Sequence, residues 1–386
     1  MLARVPVRRV LITNVWLRGR AGTELYVRDL AGALLRRGYE PCVFSPQLGE
    51  VAEEIRGAGI VVTDDLATLT GEPDVLHCHH QYESIAALSR FPDRPGVYVQ
   101  HGVAAHWLDE TPLHPRLLRH VAVDQLCLDR VLSAGVPADR TTIIANGVDT
   151  VRFVARDPLP PKPRRALVFS NYAGEQNYVP AVRAACARMG IELDVVGATA
   201  GTQATRPEEL LPGYDLVFTK ARGAIEAMSV GCAVIVTDAH GLAGLATSAD
   251  LPEWRRWNFG RHLLTRTHDV DAICAEIDRF DPDDAALCRD HVRAHWSLDA
   301  MVDALVAEYD QVYDGWTPAD ADPRAELAAL AGSVSALGPL RTELEEARPY
   351  VEKYPNLLES WRYEQEQARV LREHFERQQT AQAAEQ

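Results

Sequence analysis

Short apolar runs alternate with amphipathic stretches along the first part of the chain. The run Arg9–Asn14 is aliphatic and β-branched, and after a glycine-containing loop the apolar residues of Leu25–Arg37 recur every three or four positions. The first pattern predicts a strand and the second a helix, which Gly38 closes. Further runs predict strands at Pro41–Ser45, Gly59–Thr63, Val75–His77, Gly96–Gln100, Val121–Val123 and Thr142–Ile144. Strands that alternate with helices favour a parallel sheet.

A proline-rich stretch interrupts this alternation, which then resumes. Residues 154–166 contain four prolines among charged residues, a composition that excludes a helix or a central strand and predicts an interdomain linker. The second half predicts strands at Ala166–Ser170, Glu192–Val196, Asp215–Thr219 and Ala233–Thr237, and helices at Val179–Met189 and Ala224–Val230. Two such halves in tandem indicate an α/β fold with two Rossmann-like domains that face a cleft.

The C-terminal segment is rich in Glu, Arg, Gln and Ala. Its apolar residues follow a near-heptad spacing at Leu327, Leu330, Val334, Leu337, Leu340 and Leu344. Pro339, Pro349 and Pro355 should break it into several short helices, followed by a longer helix at Asn356–Gln379. It is either a plain helical appendage or an element for homo-oligomerisation or partner docking. The predicted divisions are 1–153, linker 154–165, 166–295, closing helices 296–315 that return to the first domain, and extension 316–386.

Charge and composition narrow the classes of partner. The chain has 386 residues and a net charge of −15, from 55 acidic and 40 basic side chains, so its overall field repels nucleic acids and anionic lipids. A phosphate-bearing ligand would need a local cluster of cations. The seven cysteines are scattered without a Cys-x-x-Cys pair, which fits a reducing cytoplasm. Neither a signal peptide nor a membrane-spanning apolar stretch is expected.

Two segments have the composition of a phosphate-binding site. The loop Gly19–Glu24 lies between the first strand and the first helix, where Gly22 would let the backbone approach a ligand. It lacks the Gly-x-Gly-x-x-Gly pattern of nicotinamide dehydrogenases, and a simple turn is the alternative. The segment Lys220–Met228 follows a predicted parallel strand, with Lys220 and Arg222 in a loop and Glu226 one turn into the next helix. An exposed basic loop with a capping acid is the alternative there.

Histidines follow two of the predicted strands. His77, His79 and His80 suggest a metal site, but no carboxylate motif accompanies them, so no metal is expected. His101 ends an apolar strand, is followed by a glycine, and should face the same sheet edge as the Gly22 loop. A purely structural hydrogen bond is the alternative role for His101.

The pieces occur in an order that resembles the retaining GT-B glycosyltransferases called family 4, over roughly residues 8–313. Ala21–Glu24 resembles the family's Gly-Gly-x-Glu loop, His101-Gly102 its sugar-proximal histidine, and Asn146–Asp149 its Asn-Gly-Val-Asp segment. Glu226–Met228 with Gly231 resembles the Glu-Ala-Met-x-x-Gly helix, and Trp296-Ser297 with the following helix resembles the closing helices. The resemblance implies that Gly22 and Thr23 approach the donor phosphates, His101 positions the sugar, Asn146 contributes to the donor site, and Glu226 binds the ribose.

Two departures from the family change the expected site. Asn171 and Gln176 stand where the family usually has Arg and Lys, and Phe218 replaces the first of two glutamates. Lys220 and Arg222, from a shortened loop that ends at Gly223, are therefore expected to supply the charge for the diphosphate. Gly241 and Leu242, at another strand near the cleft, are further candidates for the donor pocket.

The sequence therefore predicts a cytoplasmic, metal-independent, hexosyltransferase-like enzyme. It would move a sugar from a nucleotide-sugar to a hydroxyl of a glycan or small-molecule acceptor, with retention, in polysaccharide or glycoconjugate biosynthesis. No cofactor is expected. A nucleotide-sugar epimerase with the same fold and a non-catalytic scaffold are the alternatives.

Overall fold

The first half is built on a seven-stranded sheet. The structure is a computed structural model that describes residues 7–103 and 108–353. The strands are β1 (Arg9–Thr13), β2 (Glu40–Phe44), β3 (Val61–Thr63), β4 (Val75–Cys78), β5 (Gly96–Gln100), β6 (Leu117–Ala122) and β7 (Thr141–Ile143). Their order is β3-β2-β1-β4-β5-β6-β7, and every pairing is parallel. The predicted parallel sheet is confirmed.

Helices cover this sheet because each has one apolar face. They are α1 (Gly22–Arg36), α2 (Glu50–Gly57), α3 (Gln81–Arg90) and α4 (Gln125–Ser133). On α1, Val27, Leu30 and Leu34 are fully buried and follow the three- and four-residue spacing of a core-facing helix. The helix begins three residues before the predicted Leu25, because the Glu24 carboxylate accepts hydrogen bonds from the backbone N–H groups of Gly19 and Ala21 at 2.8 and 2.6 Å.

The second half has a smaller sheet of mixed direction. Its strands are β8 (Arg165–Phe169), β9 (Glu192–Val196), β10 (Leu216–Thr219), β11 (Ala233–Asp238) and β12 (Gly241–Leu245), in the order β12-β11-β10-β8-β9. All pairings are parallel except that of β12, which lies antiparallel to β11 at the edge. The helices are α5 (Val179–Met189), α6 (Pro207–Leu210), α7 (Ala221–Val230), α8 (Leu251–Arg256), α9 (Val270–Asp278) and α10 (Pro282–His295).

The chain crosses between the halves twice. Residues 144–164 contain no helix or strand apart from an isolated bridge that pairs Val148 with Ser297. After the second half, α11 (Leu298–Asp314) packs Val302, Leu305 and Tyr309 into the hydrophobic core of the first half. The boundaries given above for the individual domains remain predictions.

The C-terminal helix α12 (Pro323–Lys353) is continuous. The predicted breaks at Pro339 and Pro349 are therefore wrong. A proline within a helix removes one backbone hydrogen bond and bends the helix, and the turns on either side retain their own bonds. Pro355 and the predicted helix Asn356–Gln379 lie outside the described residues. Residues 1–329 form one compact unit, and the chain from Leu330 belongs to a second. Among the described helices, none combines the length and apolar character needed to cross a bilayer.

Candidate functional site

A pocket lies where the start of α1 meets the carboxyl ends of β8 and β10. It has a volume of about 190 Å³, and both halves of the molecule contribute to its lining. We call it the cleft pocket. In the part that the structure describes, five cationic side chains and one carboxylate line it: Arg20, Arg28, Arg152, Lys220, Arg222 and Glu226. Cationic side chains thus outnumber carboxylates in the lining of this pocket, in a protein whose net charge is −15, and such side chains are what a phosphate-bearing ligand would contact.

The first turn of α7 forms one wall of the cleft pocket. The predicted loop over residues 220–223 is wrong, because Lys220 is the N-cap residue and α7 already begins at Ala221. The Ala221 N–H donates to the Phe259 carbonyl at 2.9 Å. Helix N-termini carry partial positive charge, so this wall favours an anion through its backbone as well as its side chains. Gly223 belongs to this turn, and a Cβ atom there would lie 2.4 Å from Thr219 Oγ1. A larger residue at this position would therefore require the Thr219 side chain to shift.

The cations of the second half are held by carboxylates. Lys220 Nζ forms an ion pair with Asp238, which is fully buried on β11. The Arg222 Nε–H donates to Glu226 Oε1 at 2.7 Å, and an Nη2–H of Arg222 donates to Asp29 of α1. Burial alone would raise the pKa of Asp238, but hydrogen bonding with His240 and the charge of Lys220 hold that pKa well below its usual range. The cationic side chains are therefore fixed in place before any ligand arrives.

The cations of the first half are anchored in the same way. Arg20 Nη1 lies 3.1 Å from Glu50 Oε1, and Nη2 donates to the Thr205 carbonyl of the second half at 2.6 Å. The N–H groups of both terminal nitrogens of Arg152 donate hydrogen bonds to the Asp29 carboxylate, at 3.0 and 2.9 Å. Asn171, which stands in place of the family's cation, donates to the Arg20 carbonyl at 3.2 Å and so also joins the two halves.

Gly22 lines the cleft pocket, and a Cβ atom added there would meet nothing within 4 Å. The open space beside Gly22 is available to a ligand. Of the other predicted residues, Lys220, Arg222, Gly223 and Glu226 also line the pocket.

The remaining predicted site residues, including His101, lie outside the lining of the cleft pocket. Thr23 is half-buried on α1, and the Asn146 carbonyl accepts a hydrogen bond from Arg255 Nη2 at 2.7 Å. Gly241 has a φ of 155°. A Cβ atom added to Gly241 would lie 2.7 Å from the Leu264 carbonyl oxygen. Leu242 is fully buried. The structure places Gly241 and Leu242 in the packing of the edge strand β12.

His101 lies in a cluster of aromatic rings within the first half. Its Nε2 is 2.7 Å from Nδ1 of His79. The two rings stack with their centroids 4.6 Å apart and an interplanar angle of 11°. The Tyr26 ring of α1 meets His101 edge-on, also at 4.6 Å. Burial, and then the neighbouring histidines, lower the pKa values of His79 and His101 well below the usual range, so both rings are neutral near pH 7. Within the described residues, no group of His, Cys, Asp or Glu is arranged to hold a metal ion.

Sequence reasoning missed five residues in or beside this site. Arg20 was named only as part of the glycine loop, and Arg28, Asp29, Arg152 and Asp238 were not among the predicted site residues. Arg28 and Asp29 sit within a helix, where charged residues are typical of a solvated face. Asp238 ends a buried strand beside the strand that precedes Lys220, and this strand-end position was the available signal.

Comparison with known proteins gives a family match over part of the chain and a fold for most of it. Residues 20–152 match the model of Glycosyltransferase Family 4. A comparison with curated proteins returned no match. A glycosyltransferase from Rickettsia africae is similar in structure, with a TM-score of 0.57 and 14% identity over 79% of this chain and 98% of that chain.

Two further solved structures are similar to this chain in fold. Anabaena HepE in complex with UDP-glucose has a TM-score of 0.55 and 16% identity over 78% of this chain and 98% of that chain. Sucrose-phosphate synthase from Thermosynechococcus elongatus has a TM-score of 0.54 and 15% identity over 80% of this chain and 100% of that chain. These likenesses show the GT-B fold, and the predicted fold class is confirmed.

Proposed function

With the GT-B fold and a glycosyltransferase family 4 region over residues 20–152 as the premise, we propose that the protein transfers a hexose from a nucleotide-sugar to an acceptor hydroxyl. The donor occupies the cleft pocket. Transfer proceeds with retention and without a metal ion, and it serves polysaccharide or glycoconjugate assembly. The Anabaena protein of the same fold was solved with UDP-glucose, which makes UDP the first nucleotide to test.

The observation that carries the proposal is the charge of the cleft pocket. Five cationic side chains and the first turn of α7 face a space lined by one carboxylate among the described residues. A nucleoside diphosphate leaving group gains negative charge as the glycosidic bond breaks, and fixed positive groups stabilise that charge without reorganising. Lys220 and Arg222 fill this role because their carboxylate partners already hold them in place.

Glu226 is proposed to hold the ribose. Its Oε1 accepts a hydrogen bond from Arg222 at 2.7 Å, and Oε2 would accept the ribose hydroxyls. The carboxylate thus links the diphosphate-binding cation to the nucleoside, so that both parts of the donor are aligned together.

His101 is proposed to position the transferred sugar. Its ring is fixed by stacking on His79 and by edge contact with Tyr26. Because the ring is neutral near pH 7, it can exchange hydrogen bonds with sugar hydroxyls without adding charge. The acceptor proton would pass to a phosphate oxygen of the leaving group, so the proposed mechanism assigns no protein base.

The seven cysteines are free and buried, which supports a reducing compartment, and a cytoplasmic location is proposed.

A homo-oligomer formed through the C-terminal segment also remains a proposal, and light scattering of the full chain would test it.

The site is tested by thermal-shift and calorimetric screening of nucleotide-sugars. We expect the wild-type protein to bind a UDP-sugar and the double variant Lys220→Ala, Arg222→Ala to bind it at least about a hundredfold more weakly, since two charged contacts to the diphosphate are lost. The matched control is Lys162→Ala, Arg183→Ala, which removes the same charges from the predicted linker and the second half, outside the lining of the pocket. Equal affinity in the two double variants would contradict the proposed site.

The reaction class needs a separate experiment. Incubation of the bound donor with acceptor glycans should release nucleoside diphosphate and form a glycoside with the donor's anomeric configuration, as read by NMR. Isomerised donor in the absence of any acceptor would instead identify an epimerase. A protein that binds none of the nucleoside diphosphates would be a scaffold.

A further inference from the structure

Asp29 lies beside the cleft pocket. Its side chain is 7% exposed and lines an adjoining cavity of about 550 Å³ further along α1, whereas the lining of the cleft pocket does not include it. Arg28 and Arg152 line both spaces, and Arg222 lines the cleft pocket. The carboxylate is thus placed to hold these arginines from outside the lining of the cleft pocket.

Three guanidinium groups from separate segments converge on this one carboxylate. Arg152, from the segment between β7 and β8, donates to Oδ1 and Oδ2 at 3.0 and 2.9 Å. Arg28 Nε donates to Oδ1 at 3.0 Å, and Arg222 of α7 donates to Oδ2. A helix of the first half, the connecting segment and a helix of the second half are therefore joined at a single residue.

Without a central anion, these three cations would repel one another. Burial alone would raise the pKa of Asp29, but Arg222, Arg152 and Arg28 together hold it well below its usual range. The carboxylate is therefore ionised near pH 7, and the arginines retain their partner. Arginine forks of this kind fix orientation as well as charge.

We propose that Asp29 is a positioning residue for donor binding, which holds Arg152 and Arg222 at the angle at which they meet the donor's diphosphate. The role rests on the proposed nucleotide-sugar function of the cleft pocket. Asp29 does not touch the donor. It links closure of the two halves to assembly of the phosphate-binding wall, because Arg222 reaches it from the opposite half.

The direction in which donor affinity changes when Asp29 is removed distinguishes a positioning role from competition between Asp29 and a donor phosphate. If Asp29 merely occupied the place of a phosphate, its removal would free the arginines and raise the affinity for the donor. If Asp29 positions the arginines, its removal lowers that affinity although the pocket becomes more positive. Misplacement of binding groups by about 1 Å is enough for large losses of this kind.

The test is calorimetry on the full chain with UDP, uridine and inorganic pyrophosphate. We expect Asp29→Asn to weaken binding of UDP and of pyrophosphate about tenfold and to leave uridine binding unchanged. The control is Asp299→Asn, the same substitution at a 70% exposed residue that pairs with Arg37 at the far end of α1; it should bind all three ligands as wild type does. Unchanged or tighter UDP binding by Asp29→Asn would overturn the proposal.

A double-mutant cycle shows whether Asp29 acts through the arginines. In an Arg152→Gln, Arg222→Gln background, Asp29→Asn should have no further effect on pyrophosphate binding, because the groups it positions are gone. An undiminished further loss would overturn the positioning role. Should Asp29→Asn fail to fold, Asp29→Glu keeps the charge but moves the carboxylate by one methylene, and the same weakening is expected.

The two proposals fail in different ways. A wild-type protein that binds pyrophosphate but no nucleotide would contradict the proposed transferase, and the Asp29 series would still be decided with pyrophosphate. Wild-type protein that binds neither ligand would overturn both. Wild-type binding of UDP with unchanged affinity in Asp29→Asn would overturn the positioning role alone.

Discussion

Individual residues of the cleft pocket differ in how far the sequence reveals them. Lys220, Arg222 and Glu226 could be predicted because they follow a buried strand whose carboxyl end must open at the sheet edge. Asp29 could not, because nothing in its own helix distinguishes it from a solvated charge. Its partners Arg152 and Arg222 lie 123 and 193 positions away along the chain, and only the fold brings them together.

Buried histidines give the protein a pH dependence that can be measured without any ligand. His77 is fully buried, its Nδ1 lies 2.6 Å from the Tyr309 hydroxyl, and burial lowers its pKa to about 3. Below the unfolded pKa of about 6.5, the unfolded chain binds a proton that the native state does not. Stability is therefore complete above this pH and decreases as the pH falls towards 3.

We expect the free energy of unfolding to fall by about 1.4 kcal/mol for each such histidine between pH 7.5 and 5.5. Urea unfolding at these two pH values measures it. His77→Gln retains a hydrogen-bonding side chain that does not titrate and should reduce the difference. The buried carboxylates Asp29 and Asp238 titrate only at lower pH, so they contribute little to the difference in the free energy of unfolding between pH 7.5 and 5.5. Glu83, whose pKa burial raises to about 7, contributes with the opposite sign in both proteins, so an equal pH dependence in wild type and His77→Gln would contradict this assignment.

Among the elements, those with a complete local pattern could be predicted to the residue. The bounds of β5, β9 and α5 match the sequence prediction, because apolar runs and a closing glycine define them. The start of α7 was misplaced because Gly223 suggested a loop. The reason for that glycine is the 2.4 Å approach to Thr219 Oγ1, which depends on the neighbouring strand. The length of α12 was underestimated because its prolines bend a helix without ending it.

The close contact between the start of α11 and the segment at Val148 depends on Gly147. A Cβ atom on Gly147 would lie 2.6 Å from the Ser297 carbonyl oxygen, next to the bridge between Val148 and Ser297. We expect Gly147→Ala to displace the start of α11 and to lower the free energy of unfolding by about 1–3 kcal/mol. Hydrogen exchange should increase in α11. The control Gly57→Ala, where nothing lies within 4 Å of the added atom, should be neutral or slightly stabilising, and equal loss in both would contradict this account of Gly147.

At the scale of the whole molecule, the tandem Rossmann-like halves could be predicted from the alternation of elements, but the closeness of the halves could not. Arg20 donates to the Thr205 carbonyl, Asn171 donates to the Arg20 carbonyl, and Arg222 reaches Asp29 across the cleft. The resulting cleft pocket of about 190 Å³ is smaller than the roughly 300–1,000 Å³ of typical ligand sites.

A crystal structure of the protein with UDP tests the central claim most directly. The site predicts density for the diphosphate in the cleft between the halves, within hydrogen-bonding distance of Lys220, Arg222 and the first N–H groups of α7, with the ribose at Glu226. Well-ordered UDP bound elsewhere, or a cleft that stays empty at saturating UDP, would contradict the assignment of the cleft pocket as the donor site.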